Sequence, residues 1–492
     1  MYQVISNGKE GVVEMALQRT DDRFTAGFIG YTAQTIAVVK ASPGQTFVVV
    51  GDKWADEVVP ANCTHVPTFS EFLLKLTSPR TFVVSDDYAT NAAKLLGDAE
   101  AGVRKGDVVV DFTDASLEAA TAREADVAAA DGGYLGVWSA GSVKGGTFMV
   151  GGTAGAFTAE IAGFLGKVAA HTAEFGADDY AASACVADFG SVAAAHSAKA
   201  VHDGLAASDV QAIAEAYDVL RQIGRQSSAA LALTFEEWND GELKSVLVAN
   251  AAQVFKSGDA LEAVADVTEE GWAAQPAAQR MPCLGSAAAA VDTRRLCSSS
   301  AKKERARATI TLHGPKSLPD IDSAQLLEDV ERAVWATKVV SYAQALSTIA
   351  AVDRAAVEHS LRVWQAGSPL QSRLLAKIKL AFDAKPDLAH LLLAAPSDGE
   401  GIIERLVTCQ PSWRRIVSLC VASGLPCAAL GSALSYFDSY RRSRLTANLS
   451  EALRNFGDGT YAYRMTDGAS KAIDWQASGA EEADATGAAA SK

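Results

Sequence analysis

The stretch Val192–Ile223, VAAAHSAKAVHDGLAASDVQAIAEAYDVLRQI, contains no proline and one glycine, Gly204, before Gly224 closes it. Alanine and straight-chain residues dominate it, and these lose little side-chain freedom in a helix. The stretch predicts one very long helix, and it divides the chain in two. Upstream, short β-rich runs alternate with helix-length stretches: Ala26–Gly30, Phe47-Val-Val-Val50, Phe82-Val-Val84, Val108-Val-Val110, Tyr134–Trp138 and Phe148–Val150. Such alternation implies βαβ units and a mainly parallel sheet. Downstream the β signal fades, and Ser323–Leu346, Val352–Trp364 and Leu370–Ala384 read as further helices. The expected fold class is an α/β N-terminal domain followed by a large all-α domain.

The chain has 492 residues, enough for two or three domains. Hydrophobic residues make up 49% and charged residues 21%, which gives ample material for a core and argues against wholesale disorder. The net charge is −15, a mean field that repels phosphate backbones and anionic membranes, so no nucleic-acid partner is expected. No apolar run reaches the roughly 18–20 residues that span a bilayer, so no membrane insertion is expected. Met1–Thr25 mixes Lys9, Arg19 and Arg23 with Glu10, Glu14, Asp21 and Asp22 and lacks an apolar segment. It does not read as a signal peptide, and its acids count against a transit peptide. The seven cysteines are odd in number, with no C-x-x-C. That argues against a disulfide framework or a zinc site, so no metal is expected and a reducing compartment fits. Cytoplasm is the default expectation, with an organellar (mitochondrial) assembly left open. Cys420 and Cys427, the two nearest in sequence, lie in an apolar stretch and read as buried thiols. Ala477–Lys492 is mostly Ala, Gly, Ser and acid and reads as a disordered tail.

The first chemical signal is Gly30-Tyr-Thr-Ala-Gln-Thr35, after a strand and before a helix. A dinucleotide site places G-x-G-x-x-G there, so that the backbone turns tightly, approaches the pyrophosphate and packs helix on strand. Only the first glycine is present, and the β-branched Thr32 and Thr35 crowd the other two positions. The helix N-terminus still offers N–H groups to an anion. An emptied nucleotide fold and a working cofactor site both stand at this point.

The second domain carries more specific patterns. They are Phe235-Glu-Glu-Trp-Asn239 with Glu242-Leu243, Ala336-Thr-Lys-Val-Val-Ser-Tyr-Ala-Gln344, Lys377-Ile-Lys379 with Ala381-Phe-Asp383, and Cys409-Gln-Pro-Ser-Trp-Arg-Arg415. Ala433-Leu-Ser-Tyr-Phe-Asp-Ser-Tyr-Arg441 and Leu445-Thr-Ala-Asn-Leu449 follow. In this order they closely resemble the C-terminal domain of decarboxylating 6-phosphogluconate dehydrogenase, and the likeness runs with gaps from about Phe28 to Trp475. The resemblance implies a Rossmann-like NADP domain, a large helical domain, a homodimer, and a tail that threads into the partner subunit. It places an N-terminal extension at 1–25, the Rossmann-like domain at 26–155, the helical dimerisation and substrate domain at 156–440, the tail at 441–476 and the disordered end at 477–492.

The same resemblance implies an activity: NADP-dependent oxidative decarboxylation of 6-phosphogluconate to ribulose 5-phosphate, a step of the pentose phosphate pathway. A lysine is the base and a glutamate the later acid. The family's K-x-x-H-N-G-x-E reads Lys199-Ala-Val-His202-Asp203-Gly204-Leu205-Ala206 here. Lys199, His202, Asp203 and Ala206 fall on one helical face. Lys199 and His202 match the base and its histidine. Asp203 replaces an asparagine that holds substrate and nicotinamide, and Ala206 replaces the acid.

Other positions have also changed. The stretch Tyr134–Gly141 runs almost directly into Gly145–Gly152, so the family's Ser-Gly-Gly turn is missing. Its Gly-Gly-Asn-Ser is Phe112-Thr-Asp114-Ala115. The arginine for the NADP 2′-phosphate aligns with Trp54, leaving Lys53 beside it without the bidentate fork. A substrate-phosphate arginine aligns with Leu296, one residue from Arg295. The partner-reaching arginine corresponds to Arg454, and the histidine after it to Gly459. Trp364–Gln371 stands where the family has an arginine-flanked segment, and no role is carried from it. The candidate cofactor residues are therefore Gly30, Thr32, Lys53 and Asp114, and the candidate substrate residues Arg295 and Arg454. The expectation is a catalytically impaired homologue, binding NADP if any cofactor, kept as a structural or interaction protein in a homodimer or larger assembly. The alternative is an active enzyme of that family.

Overall fold

The apolar runs pair into one nine-stranded sheet in a computed structural model of the chain. The structure describes residues 102–140, 145–167, 184–261, 285–297, 321–395 and 401–456, with shorter pieces that include 14–20, 23–29, 46–50, 63–66, 81–84, 461–465 and 469–473. Gly30, Thr32, Thr35, Lys53, Trp54 and 477–492 lie outside the described residues, so the expectations placed on them stand as made.

The strands are β1 (Glu14–Thr20), β2 (Arg23–Ile29), β3 (Thr46–Val50), β4 (Cys63–Val66), β5 (Thr81–Val84), β6 (Val108–Asp111), β7 (Gly133–Ala140), β8 (Thr147–Gly152) and β9 (Val186–Asp188). Their order is β4-β3-β2-β1-β5-β6-β7-β8-β9. β2, β3 and β4 run parallel, as do β5, β6 and β7. Without β1 this is the doubly wound order, reversing direction between β2 and β5. β1 comes from the stretch read as an extension, yet it is a strand of the sheet, antiparallel to both neighbours at the point of reversal. Met15 stands opposite Phe28 on one side and Val83 on the other. β7 and β8 form an antiparallel pair, and β9 adds parallel to β8, past the point where the β signal faded in the sequence. β6 is buried throughout, as its unbroken valine run requires of a strand covered on both faces.

The helices are α1 (Leu117–Ala129), α2 (Ala159–Gly166), α3 (Val192–Gln222), α4 (Ser228–Asp240), α5 (Val246–Lys256), α6 (Gly285–Leu296), α7 (Ser323–Val352), α8 (Ala355–Val363), α9 (Arg373–Ala384), α10 (Ile402–Ser423), α11 (Ala428–Tyr440) and α12 (Ala447–Asn455). Side-chain caps start many of them. Ser116, Ser191, Ser227, Ser245, Asp322 and Ser372 each accept a hydrogen bond from the backbone N–H three residues on. The helix read as ending at Leu346 continues to Val352. The chain then turns at Asp353, whose backbone is extended and whose carboxylate accepts from the Ala355 N–H.

Helix α3 is 31 residues long, about 46 Å at 1.5 Å per residue. It leaves β9 at Ser191 and packs on β7 and β8 and then along α7. Gly151 permits the first contact, since a Cβ there would lie 2.2 Å from the Ser191 carbonyl oxygen. Twenty of the 31 residues are buried, so the helix is enclosed rather than amphipathic at a surface. Its polar groups are answered by other elements. Lys338 of α7 donates to Asp209 at 2.5 Å, with both side chains almost fully buried. The Ser208 and Ser341 hydroxyls meet at 3.1 Å, and Ser286 of α6 joins them at 3.0 Å. Glu215 accepts from the N–H groups of Ala429 and Leu430, at 2.8 and 3.0 Å, and so caps α11.

The chain divides into two units, Met1–Leu434 and Ser435–Lys492. The second holds the end of α11, helix α12 and the antiparallel pair β10 (Tyr461–Arg464) and β11 (Ser470–Ile473). Among the described residues no helix is long and apolar enough to cross a membrane.

Removing one partner of a buried ion pair strands the other in low dielectric, at a cost of about 3–5 kcal/mol, whereas replacing both with apolar groups is often near neutral. Lys338→Met is therefore expected to lower the urea midpoint sharply. Lys338→Met with Asp209→Leu is expected to recover most of the loss. A single substitution that leaves the midpoint unmoved would show the pair to be dispensable.

Candidate active site

The residue face predicted on α3 is built as read, and tertiary contacts complete it. Lys199 is one-tenth exposed, and its Nζ donates to Asp203 Oδ2 one turn on. His202 is buried, with Nδ1 3.0 Å from Asp203 Oδ1 and Nε2 2.7 Å from Ser368 Oγ. Ser368 Oγ also accepts from the Leu370 N–H at 3.1 Å, which fixes the hydroxyl. Trp364 packs edge-on against the imidazole at 5.7 Å. Ala206, one turn beyond Asp203, is buried.

Burial is the main force on His202 and holds it below the ordinary histidine value; the Asp203 hydrogen bond and charge oppose it, and Lys199 adds to the lowering. The ring is thus neutral at pH 7, with Nδ1–H donating to Asp203 and Nε2 accepting from Ser368. Burial alone would raise Asp203, but the His202 hydrogen bond and the Lys199 charge outweigh it and hold the carboxyl below its usual value. The cluster is therefore a lysine, a carboxylate and a neutral imidazole in series.

The segment Trp364–Gln371, to which the sequence assigned no role, supplies Ser368 and Trp364. It is held against the β7–β8 connection by Gly367, with φ +68° and a virtual Cβ only 2.2 Å from the Gly145 carbonyl oxygen. The loop after β6 approaches the start of α3 through Trp138, whose Nε1 donates to the Ala115 carbonyl at 3.0 Å. The Trp138 ring meets His196, one turn before Lys199, at 5.7 Å. Asp114 is exposed in that loop with φ 53°. Beneath it, buried Asp111 accepts from the Thr113 backbone and hydroxyl, Arg123 and Tyr134.

The structure brings together Lys199, His202 and Asp203 but gives the two candidate arginines other settings. Arg295 is exposed in the last turn of α6, 3.8 Å from Asp292. Arg454 lies in the C-terminal unit on α12, 3.9 Å from Glu451 and largely exposed. Among the described residues no group of three His, Cys, Asp or Glu is placed to hold a metal ion.

A family model described as the 6-phosphogluconate dehydrogenase C-terminal domain matches residues 195–475, which include this cluster. The chain belongs to the 6-phosphogluconate dehydrogenase family. It is 33% identical over 430 residues to 6-phosphogluconate dehydrogenase, decarboxylating 1, of Oryza sativa subsp. japonica, covering 83% of this chain and 86% of that protein. It is 30% identical over 481 residues to the decarboxylating 6-phosphogluconate dehydrogenase of Salmonella typhimurium, covering 94% and 98%. The 6-phosphogluconate dehydrogenase structure from Plasmodium falciparum superposes with a TM-score of 0.77 at 22% identity, covering 90% of this chain and 97% of that one, a likeness of fold. The Rossmann-like and helical division expected from the sequence is the fold of this family.

The depressed His202 and His390 set a pH dependence. His390 is lowered to about 4 by burial, and its Nδ1 accepts from the Leu392 N–H. Both rings stay neutral in the folded chain at pH values where the unfolded chain already binds protons, below about 6.5. Stability is therefore full above pH 6.5 and declines on acidification, for His390 down to about pH 4. The urea midpoint is expected to fall between pH 7 and pH 5, and His202→Gln and His390→Gln are each expected to flatten that fall. A slope unchanged in both variants would contradict the assignment.

Proposed function

We propose that this chain is a 6-phosphogluconate dehydrogenase homologue impaired in oxidative decarboxylation and retained as a structural or interaction protein, in a homodimer or a larger assembly. Ala206 carries the proposal. It is a buried methyl group where the family resemblance puts the proton donor, and a methyl group has no proton to give. A positioned acid contributes about 10²–10⁴-fold to such a step.

The state of the retained groups supports the reading. A base must aim a lone pair at the substrate hydroxyl, whereas Lys199 Nζ acts as a donor to Asp203 Oδ2. The Asp203 carboxylate also repels the carboxylate and phosphate of 6-phosphogluconate.

The described residues fit NADP poorly. β1 stands at the reversal point of the sheet, where a doubly wound fold seats its dinucleotide. Asp114 adds a carboxylate to the loop after β6, where the family has a neutral asparagine. The active-enzyme reading rests on the retained Lys199 and His202, which keep their family positions on α3.

The homodimer part of the proposal is supported by α12. Leu449, Leu453 and Phe456 are exposed at 60%, 66% and 50%, and the two leucines fall one above the other at i and i+4. An apolar stripe of this kind calls for a partner surface.

Assays with NADP and 6-phosphogluconate are expected to give no turnover above that of Lys199→Ala, and NADPH fluorescence to report no micromolar binding. Turnover abolished by Lys199→Ala would overturn the proposal. Asp203→Asn is expected to raise 6-phosphogluconate binding about tenfold, by removing one repelling charge. In sedimentation, removal of residues 441–492 is expected to shift a dimer to monomer.

A further inference from the structure

Outside the catalytic cluster, the starts of α5 and α9 lie side by side. Ser245 and Ser372, the residues that cap them, form a single antiparallel β-bridge. The Val246 N–H donates to the Gln371 carbonyl at 3.1 Å, and the Arg373 N–H to the Lys244 carbonyl at 2.9 Å. This register sets Lys244 directly opposite Arg373, so their side chains leave the backbone on the same side. Both line a cavity of about 750 Å³, whose other walls include Thr172, Gln365 and the first turns of the two helices. Lys199, His202 and Asp203 are not among its lining residues.

The charge in this cavity is of one sign. Like charges directly opposite each other across a strand pair are destabilising. A cation at a helix start is also of the wrong sign, because the partial charge there is already positive. Lys244 and Arg373 meet both conditions. Both are exposed, and neither side chain has an ion-pair or hydrogen-bond partner among the described residues. No carboxylate lines the cavity among the described residues. Glu242, two residues before Lys244, is engaged by Lys377 Nζ at 3.0 and 3.2 Å. Two more polar atoms of the lining residues, Gln365 Nε2 and Thr172 Oγ1, are shielded from solvent and have no hydrogen-bond partner among the described residues. A buried polar atom left unpaired is destabilising, so each calls for a partner.

Ammonium, guanidinium, amide and hydroxyl are all donors, and an anion rich in oxygen acceptors answers them together. A phosphate monoester carries up to about two negative charges at pH 7 and three terminal acceptor oxygens. Its charge matches the two cations, and two of its oxygens fit the fork of one guanidinium. The positive ends of α5 and α9 add to the attraction. We propose that this cavity binds the phosphate group of a small phosphate ester, held between Lys244 and Arg373 at the paired helix starts. The volume is that of a small-molecule site and exceeds what phosphate alone fills. Ala249, Ala366 and Ala376 offer apolar surface to the esterified part.

The test titrates the full-length chain with inorganic phosphate, glucose 6-phosphate and adenosine 5′-monophosphate by calorimetry. All three are expected to bind. Lys244→Gln with Arg373→Gln is expected to weaken each by about tenfold or more, through loss of two charged donors. Tighter binding of glucose 6-phosphate would assign the ester to a sugar, and tighter binding of the monophosphate to a nucleotide. Without phosphate the double variant is expected to melt no lower than wild type, since it loses a repulsion. Added phosphate is expected to raise the melting temperature of wild type only. No binding of any of the three, or equal affinity in wild type and double variant, would overturn the proposal. Loss of binding in Lys199→Ala would place the probes at α3 and overturn it too.

Discussion

A carboxylate moved out of water is destabilising by several kcal/mol unless a cation or hydrogen-bond donors meet it. Helix α3 takes that constraint through the middle of the molecule. It buries Asp209 and Glu215 along with Lys199 and His202, and it is enclosed on most sides. Each group is met by a different element: Asp209 by Lys338 of α7, Glu215 by the first N–H groups of α11, and His202 by Ser368 beyond α8. A rotation of α3 by one residue, about 100°, would break all three at once. The polar contacts therefore fix a register that alanine packing alone, with its small and similar side chains, leaves loosely determined.

The same arrangement separates the positions on α3 that the fold needs from those it can spare. The buried methyl group of Ala206 leaves no polar group to desolvate, so it costs the fold little. Exchanging Asp209 or Lys338 leaves its partner charged and dry. Selection for the fold alone thus tolerates change at Ala206 and resists it a turn further along the same helix.

Much of this was legible in the sequence. The valine runs gave the strands, the proline-free stretch gave α3 between Ser191 and Gly224, and the spacing of Lys199, His202, Asp203 and Ala206 gave one face. Local rules sufficed there because the periodicity and the caps are local. Ser368 was not legible: it is a serine 166 residues from the histidine it holds, and no spacing rule joins them. The role of β1 was hidden because Glu14–Thr20 is short, mixes charge with apolar residues and enters the sheet antiparallel between strands of a parallel order. The end of α7 at Val352 lies in an ordinary helical pattern and shows only where the Asp353 backbone turns extended and its carboxylate accepts from the Ala355 N–H at the start of α8.

The partners of α3 have a consequence for the order in which the chain is made. Synthesis delivers α3 well before Lys338, 129 residues after Asp209, Ser368, 166 after His202, and the α11 start, 214 after Glu215. While it waits, the nascent helix carries charged groups that no finished core can accept. The α/β sheet can assemble early on the ribosome, but the helix that joins the halves can lock only when the last quarter of the chain has emerged. A ribosome stalled before that point would hold a polypeptide with a formed sheet and an unsealed centre, exposed to chaperones and proteases for the whole interval.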